Sequence, residues 1–415
     1  MASTRLWYLS LWVESTRWVP VATNKFVRFK EWDIDRNPEI IQNNPIQNNR
    51  RNAINAVRGK EATEGSYKVD VDPNELLFWL APAMGQTASA DISSLTDGTV
   101  WRHTLNPFCR IGSLSVEQAK WELCDDPLTQ DGQRYQVSRA FWVMVDTLTL
   151  SWSDGILECE VWVKAFWVFN VAEMISPASV ATYFFDTVEW LVAGDVVKMY
   201  ERTGWTYENL TILSINQVAK SVTFTITPTN AANFTLAKET KMELLPKTPS
   251  YQAPIVFSFI NVRYRFADTV TNAYLAEAEN VENRSIEYMN NLEERYWSLR
   301  SSPSVIAEKW NGCMVKFEKY FETVVDRDRY LSQAPRACVI EMTNDQTISW
   351  TDTLATKYKI SREFSEIIYT MYEMTTGTDE IYAISAEATA FYNDTDGRAL
   401  RIIVENKNAD TYYWI

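Results

Sequence analysis

The clearest structural signal in the chain is VMVDTLTLS at residues 143–151, followed by SDG at 153–155 and ILECEVWVKAFWVF at 156–169. An Asp-Gly pair between two runs of alternating apolar and polar residues is typical of a β-hairpin. In the second run, one face carries Leu157, Cys159, Val161, Val163 and Ala165, and the other carries Glu158, Glu160, Trp162 and Lys164. We therefore predict that one face of the hairpin packs on a core while the other meets water or a partner.

The same two-residue period recurs along most of the chain, which predicts a mainly β fold. Further strands are predicted at Phe26–Ile34, Tyr67–Val71, Phe257–Phe266, Val281–Met289, Met314–Phe321, Val339–Met342, Ile381–Tyr392 and Leu400–Glu405. Helical signals are few. A capping sequence at Asp72–Glu75 opens an apolar segment that stops at Gly85, and Thr323–Gln333 is a second short candidate. Ser361–Met374 combines helical spacing with many strand-forming residues, so its pattern fits either structure.

Composition limits the possible classes of function. The 415 residues include 17 Trp, 20 Tyr and 18 Phe, too many for a mostly disordered chain. Glycine is scarce, 12 in all, which disfavours glycine-rich phosphate loops. No apolar run is long enough to predict a membrane span, and the N-terminus lacks the features of a signal peptide. The net charge of −14 opposes tight binding to nucleic acid phosphates.

The charge is unevenly distributed along the chain. Residues 1–60 carry ten Lys or Arg and five acids, a net +5, so residues 61–415 sum to −19 (−14 minus +5). A basic end and an acidic remainder suit head-to-tail self-association. A solvated surface with chance clustering of charge explains the pattern equally well.

Few residues offer catalytic or metal-binding chemistry. The sequence has a single histidine, His103, and no GxSxG motif that would supply the serine of a catalytic triad. His103 and Cys109 are close in sequence, but no third or fourth ligand completes a zinc site. The acid pairs Asp125-Asp126 and Glu293-Glu294 fit solvated turns better than an acid facing a base. Five cysteines without a CxxC pair indicate reduced thiols in a protein made in a cytoplasm: Cys109, Cys124, Cys159, Cys313 and Cys338. We expect no enzyme activity, cofactor or metal.

Shifts in composition divide the chain near residues 176 and 250. Residues 176–250 contain short strands between polar turns and are closed by Pro246 and Pro249, which predicts a small inserted β-barrel. The flanking units 1–175 and 251–415 look alike, because a strand from Gly65 and another from Gly312 each run towards a short helix. We predict three domains with these boundaries.

Tryptophans crowd the N-terminus and the hairpin, at Trp7, Trp12, Trp18, Trp142, Trp152, Trp162 and Trp167. Such residues commonly pack between sheets or between subunits. Aromatic residues on strands also form sugar-binding faces, and with two carboxylates they can make a glycosidase. Packing is the preferred interpretation.

The order of these pieces resembles the tail tube proteins, or major tail proteins, of long-tailed, siphophage-like bacteriophages. The polar loop, glycine, strand and short helix of residues 59–85 (GKEATEGSYKVDVDPNELLFWLAPAMG) are similar to theirs. So are the exit strand at Leu105–Leu114 with the hairpin closing at Ser151–Gly155, the strand Val281–Leu292 before Gly312–Tyr320, and Ala383–Tyr392 before Arg398–Asn406. Residues 86–104 and the aromatic N-terminus match no family pattern, and an insertion between the two repeats is less usual.

The resemblance implies a structural virion protein rather than an enzyme. Each tube domain would be a β-sandwich with a short flanking helix and a hairpin that lines a common inner barrel. Family members with two fused domains assemble as trimers with pseudo-sixfold symmetry, and their rings stack head to tail into a conduit for DNA, with other tail proteins at the two ends. Such a chain is made in the host cytoplasm and lies in the virion tail, without membrane contact. The alternatives are an aromatic-rich carbohydrate-binding or carbohydrate-active tail-tip protein and a ring protein at the end of the tail.

Two sets of residues are candidates for roles in such a tube. The lumen candidates are Glu158, Glu160, Lys164, Glu282, Glu287, Lys316 and Glu318, since an acidic wall repels duplex DNA, and an outward placement of each is the alternative. A long polar loop at 36–60 is predicted to link one ring to the next, or else to be a mobile solvent loop. Its basic residues Arg36, Arg50, Arg51, Arg58 and Lys60, set against Glu39, give it a net charge of +4.

Overall fold

The computed structural model confirms the mainly β fold. It describes residues 5–16, 19–43, 55–92, 100–108, 110–123, 133–152, 155–179, 181–201, 206–229, 231–232, 234–297, 303–309, 311–320, 324–350, 355–375 and 383–407. Strands account for 58% of the structure and helices for 9%, so strand pairing organises the chain.

The secondary-structure elements fall into three groups along the chain. The first group is β1 (Arg5–Val13), β2 (Lys25–Val27), β3 (Glu31–Asn43), β4 (Asn55–Asp70), α1 (Leu77–Met84), β5 (Gly85–Asp91), β6 (Trp101–Pro107), β7 (Leu114–Leu123), β8 (Gln133–Trp152), β9 (Glu158–Lys164) and β10 (Trp167–Phe169). The second is β11 (Val171–Ser179), β12 (Thr182–Phe185), β13 (Val196–Tyr200), β14 (Tyr207–Asn216), β15 (Ser221–Phe224) and β16 (Lys241–Leu244). The third is β17 (Val262–Ala267), α2 (Val270–Leu275), β18 (Glu282–Met289), β19 (Glu293–Arg295), β20 (Val305–Ala307), β21 (Gly312–Tyr320), α3 (Val325–Ser332), β22 (Arg336–Trp350), β23 (Ala355–Thr375), β24 (Ala383–Phe391) and β25 (Leu400–Asn406). Short 3-10 turns lie at Leu236–Lys238 and Phe259–Asn261.

One large sheet joins the first and third groups. Eight of its strands, which we call the central sheet, follow the order β3, β4, β9, β8, β18, β21, β24 and the second half of β23, and every pair is antiparallel. The two groups meet where β8 pairs with β18, which aligns Ser151 with Ser285 and Thr147 with Met289. The hairpin predicted at 143–169 therefore lies at the middle of a sheet built from both ends of the chain.

The hydrophobic core lies on one side of the central sheet. Leu157, Cys159, Val161, Val163 and Ala165 are buried, which confirms the predicted alternation of this strand. They share one cluster with residues of β22, β25 and the first half of β23, among them Ile340, Ile360, Phe364, Ile402 and Val404. Strand β23 contributes to both sides of this core. Its first half pairs with β22 and β25, and its second half pairs with β24 in the central sheet.

The six strands of the second group close into an antiparallel barrel in the order β11, β12, β15, β14, β13, β16. The barrel begins at Val171, ahead of the boundary predicted at residue 176. Its interior residues form a cluster that continues into the first group through Ile111, Phe141 and Trp142. The barrel therefore shares a hydrophobic core with its neighbour instead of folding around a separate one.

Helix α1 ends at Gly85, as the sequence predicted, because this residue adopts φ +79° in the left-handed region. The predicted capping box is incomplete. Asp72 accepts a hydrogen bond from the Asn74 N–H at 2.8 Å, but Glu75 turns away to bind Arg28, whose Nη1 lies 2.6 Å from a carboxylate oxygen. Residues 73–76 form a turn, and the helix itself starts at Leu77.

The second predicted helix is confirmed as α3, and Ser361–Met374 lies within strand β23. Tertiary pairing decides the second case, since this segment lies between β22 and the β24–β25 pair. Helix α3 is tied to the sheet by Asp326, which accepts hydrogen bonds from Arg336 Nη1 at 2.7 Å and from the Tyr369 hydroxyl at 3.0 Å and pairs with Lys319.

The loop predicted at 36–60 is wrong at both of its ends. Residues 36–43 belong to β3 and residues 55–60 to β4, and the two strands pair as far as Asn43 and Asn55. Apolar and polar residues do not alternate clearly in this segment, and the buried positions that follow it in β4, Glu61 and Thr63, are also polar. Pro38 lies in β3, where an edge strand tolerates a residue without an N–H, and a bulge follows it.

Candidate functional site

All seven lumen candidates lie on one face of the central sheet, opposite the core. Residues that pair directly across neighbouring strands lie on the same face of a sheet. Glu160 pairs with Thr149, which pairs in turn with Glu287. In the same way, Glu158 is connected through Ser151 and Ser285 to Lys316. Glu318 pairs with Glu282, two residues along from Lys316, and Lys164 lies four residues along from Glu160. We call this surface the polar face. The backbone places Glu282 there, but the description does not extend to its side chain.

One cationic cluster on the polar face is engaged with acids. Lys30 Nζ lies 2.7 Å from Glu158 and 2.7 Å from Asp70, and Lys68 Nζ lies 3.4 Å from the same Glu158. The hydrogen bond that Lys30 donates lowers the pKa of Glu158, and donation to the Asp70 and Glu158 carboxylates raises the pKa of Lys30. Both groups therefore stay charged and paired at neutral pH.

The two lysines among the lumen candidates are also engaged. Lys316 Nζ lies 3.0 Å from Glu387 on the adjacent strand β24. Lys164 Nζ donates to the Leu292 carbonyl at 2.9 Å, so it links the first group of elements to the third. Glu160 and Glu287 have no ion pair in the described part of the chain. The polar face thus presents acids to solvent while its lysines are held by neighbours.

This surface is poorly suited to binding a polyanion tightly. Tight binding to phosphates needs free Lys or Arg side chains that release counterions, whereas carboxylates repel the backbone. Trp162 is half-exposed among these acids, opposite Ser66 and Thr147. A single aromatic ring on a flat sheet is a contact point rather than an enclosed site.

The central sheet has two outer edges. Strand β3 pairs only with β4 among the described residues, and its Ile34 carbonyl accepts a long hydrogen bond from Gln118 at 3.4 Å. At the other end, β23 pairs with β24 over Glu366–Thr375, while its opposite edge meets β22 only up to Ile367. Each edge therefore leaves backbone groups able to pair with another strand.

The five predicted ring-stacking residues do not all lie in one loop. Arg36 and Arg58 lie in the paired strands β3 and β4, where only their backbone is described, and Arg50 and Arg51 lie outside the described residues. Lys60 is exposed, its N–H lies 3.3 Å from a Glu39 carboxylate oxygen, and its ammonium lies 5.0 Å above the Tyr296 ring. The two ends of this segment are therefore paired strands instead of a loop.

The histidine and three of the cysteines, which sequence analysis considered as catalytic or metal-binding residues, are buried. His103 is fully buried in β6, where its two ring nitrogens lie 2.8 Å from Ser89 Oγ and 3.2 Å from Asn406 Oδ1. Burial raises the pKa of the Cys159 and Cys313 thiols to about 12, and Cys338 is buried as well. No group of three metal-ligating side chains occurs within the described ranges, and no helix there is long and apolar enough to cross a membrane.

A deeply buried charge cluster around Arg139 is not predicted from the sequence. Arg139 in β8 donates to Glu117 in β7 at 2.6 Å and to Asp195, just before β13, at 2.6 and 2.9 Å. It also donates to the Trp190 carbonyl at 3.0 Å, and Lys247 Nζ reaches Glu117 at 3.0 Å. These groups lie far apart in sequence, so local pattern gives no signal for the cluster. The cluster joins the barrel to the first group of elements.

Comparison with known proteins adds no family to this geometry. No family model matches the chain, and no curated protein is significantly similar to it.

Proposed function

We propose that this chain is a structural protein that assembles into stacked rings, and that it serves as the tail tube protein of a long-tailed bacteriophage. Copies would join edge to edge through the central sheet, β3 of one copy pairing with β23 of the next. The two halves of the sheet then correspond to two fused tube domains, and the barrel is an attached domain on the outside. The chain has no catalytic role in this proposal.

The observation that carries the proposal is the central sheet itself: eight antiparallel strands that run through both halves of the chain, polar on one face, with both edges available. An antiparallel sheet with two open edges is completed by closure into a barrel. Three copies would supply 24 strands. At about 4.8 Å per strand the backbone diameter is about 37 Å before tilt widens it, beyond the 16–18 strands that already leave an aqueous channel.

The polar face supports the same proposal through its charge. In a closed ring it becomes the inner wall, because the core occupies the other side of the sheet. Glu160 and Glu287 would then line the channel, and Lys316 and Lys164 would remain held by Glu387 and the Leu292 carbonyl. Such a wall lets duplex DNA slide, since few cations are free to bind phosphates.

Negative-stain microscopy of the purified protein, over a range of concentrations, tests the proposal directly. We expect rings or tubes with a uniform central channel. Glu373→Pro and Met374→Pro each remove one backbone N–H from neighbouring positions of β23. Because the N–H groups of successive residues point to opposite edges of a strand, one of the two prolines removes an N–H from the open edge and leaves the pairing with β24 intact. At least one variant should therefore fold and fail to form rings. Monodisperse monomers at every concentration, or capture on immobilised glycans without assembly, would refute the proposal.

A further inference from the structure

An apolar cleft opens at one end of the central sheet. It measures about 1140 Å³ and lies between the ends of β21 and β24 and the segments 106–111 and 396–400. Tyr288 and Ile111 contribute to its buried walls, and Phe108, Phe391 and Tyr392 stand exposed at its mouth. Exposed aromatic residues around a concave surface of this size mark a binding site rather than an ordinary part of the surface.

An apolar knob lies at the opposite end of the central sheet. It consists of Ile156, Phe259 and Ile260, all exposed. The knob is rigid, because the Phe259 N–H donates to the Gly155 carbonyl at 3.0 Å and Ser258 N–H donates to Asn261 Oδ1 at 2.9 Å. A preformed surface of this kind loses little conformational entropy on binding.

Strand register fixes the two features at opposite ends. The pairings place Gly312, at the cleft, level with Thr147 and Trp162, while Lys316 is level with Glu158, two residues from Ile156. The intervening six residues of strand span about 20 Å. The knob of one chain therefore cannot reach its own cleft, whereas it can reach the cleft of a copy aligned along the strand direction.

Unpaired charges beside the two features have opposite signs. Arg263 is exposed three residues beyond Ile260 and forms no ion pair among the described residues, since the facing Glu341 is occupied by Lys359 and Arg265. Asp396 is exposed in the cleft wall, and its carboxylate likewise has no cationic partner in the described part of the chain. Docking of the knob would give both charges a partner of opposite sign.

We infer that the cleft is the docking site for the knob of a second copy of this chain, and that this contact stacks one ring on the next. The inference rests on the proposed function and specifies its axial contact. A contact between two different patches at opposite ends of one molecule is heterologous, so it propagates into an open filament instead of closing as a dimer.

Two single substitutions test the contact, with a matched control. Ile260→Glu places a charge on the knob, Tyr392→Glu places one at the cleft mouth, and Val218→Glu makes the same kind of change on the barrel, in the turn between β14 and β15. Ile260 and Val218 are both exposed, 71% and 98%, so neither change should alter folding. We expect Ile260→Glu and Tyr392→Glu to yield separate rings, with a critical concentration for tubes at least about tenfold higher, while Val218→Glu forms normal tubes.

Mixing the two variants provides a sharper test. Rings of Tyr392→Glu retain an intact knob and rings of Ile260→Glu retain an intact cleft, so the mixture should form stacks of two rings that grow no further. Tubes of normal length from Ile260→Glu, or no paired rings in the mixture, would overturn the docking inference while leaving ring formation intact. Failure of the unmodified protein to form rings overturns the proposed function itself, and binding of a glycan in the cleft of intact tubes assigns the cleft to another ligand.

Discussion

The buried cluster around Arg139 provides a quantitative test of how the barrel is held. Asp195→Ala removes two hydrogen bonds from the guanidinium, at 2.6 and 2.9 Å, and one from the Val192 N–H at 2.8 Å. Hydrogen bonds to charged groups contribute about 1.5–3 kcal/mol each, and loss of one partner of a buried ion pair costs about 3–5 kcal/mol. We therefore expect the free energy of unfolding to fall by about 3–5 kcal/mol.

Urea unfolding followed by circular dichroism, at concentrations where the protein is not assembled, measures this change. The control is Asp345→Ala, whose carboxylate lies 3.2 Å from Lys357 in an exposed pair and should lose at most about 1 kcal/mol. Adding Arg139→Met and Glu117→Gln to Asp195→Ala should recover part of the loss, because all three buried charges are then removed together and none is left without its partner. Equal, small losses for Asp195→Ala and Asp345→Ala would show that the cluster does not hold the barrel.

Further predictions concern pH, backbone geometry, the barrel and DNA. Burial raises the pKa of Glu75 to about 7, so between pH 4.5 and 7 the folded state retains a proton that the unfolded state has lost. The free energy of unfolding should fall by about 2–3 kcal/mol as pH rises through this window, and urea titrations of Glu75→Gln should lack this fall. Gly85→Ala should lower the melting temperature far more than Gly155→Ala, because a Cβ at Gly85 would lie 2.3 Å from the Arg110 carbonyl oxygen while one at Gly155 meets nothing within 4 Å. Replacing 176–250 by a Gly/Ser linker should give insoluble protein, since Phe169 would lose the stacked Trp190 ring and the buried Arg139 would lose Asp195; soluble rings of normal diameter would contradict this. Electrophoretic shifts at micromolar protein and physiological salt should detect no duplex binding.

Local sequence pattern was sufficient to predict the hairpin and its two faces. Alternation of apolar and polar residues is dictated by burial of one face, so Cys159 and Val161 inside and Glu158 and Glu160 outside follow from the sequence alone. The same reasoning selected Glu287 and Lys316, and long-range register then placed all of these acids and lysines on one surface. The sequence could not predict that β8 and β18 are neighbours, because their paired residues are 132 to 142 positions apart (284 − 152 and 289 − 147) and meet only through the topology of the fold.

The remaining differences arise where long-range partners decide local structure. Ser361–Met374 has helical spacing, yet strands on both sides hold it in β23. The sequence gives no reason to expect that the charged residues Arg139, Glu117 and Asp195 are buried. Their burial follows from the packing of the barrel against β7 and β8, which excludes water from them. The buried face of β4 carries the polar residues Glu61 and Thr63 ahead of Tyr67 and Val69, so apolar alternation does not predict this part of the hairpin.

The two open edges of the central sheet support assembly more strongly than the charge of the chain does. Soluble proteins generally shorten, cover or charge their edge strands, because an unpaired edge recruits other strands. Among the described residues, β3 pairs on one side only along its 13 residues, and β23 pairs on one side only from Ile368 to Thr375. Long glutamine hydrogen bonds reach these edges, from Gln118 to the Ile34 carbonyl and from Gln333 to the Tyr369 carbonyl, and α3 packs beside the second edge with Tyr330 on Tyr372. An incoming strand would pair with the backbone beyond these contacts. A net charge of −14 makes separate copies repel one another at low concentration. Pairing of the edges in a closed ring would leave no exposed edge for uncontrolled association with other strands.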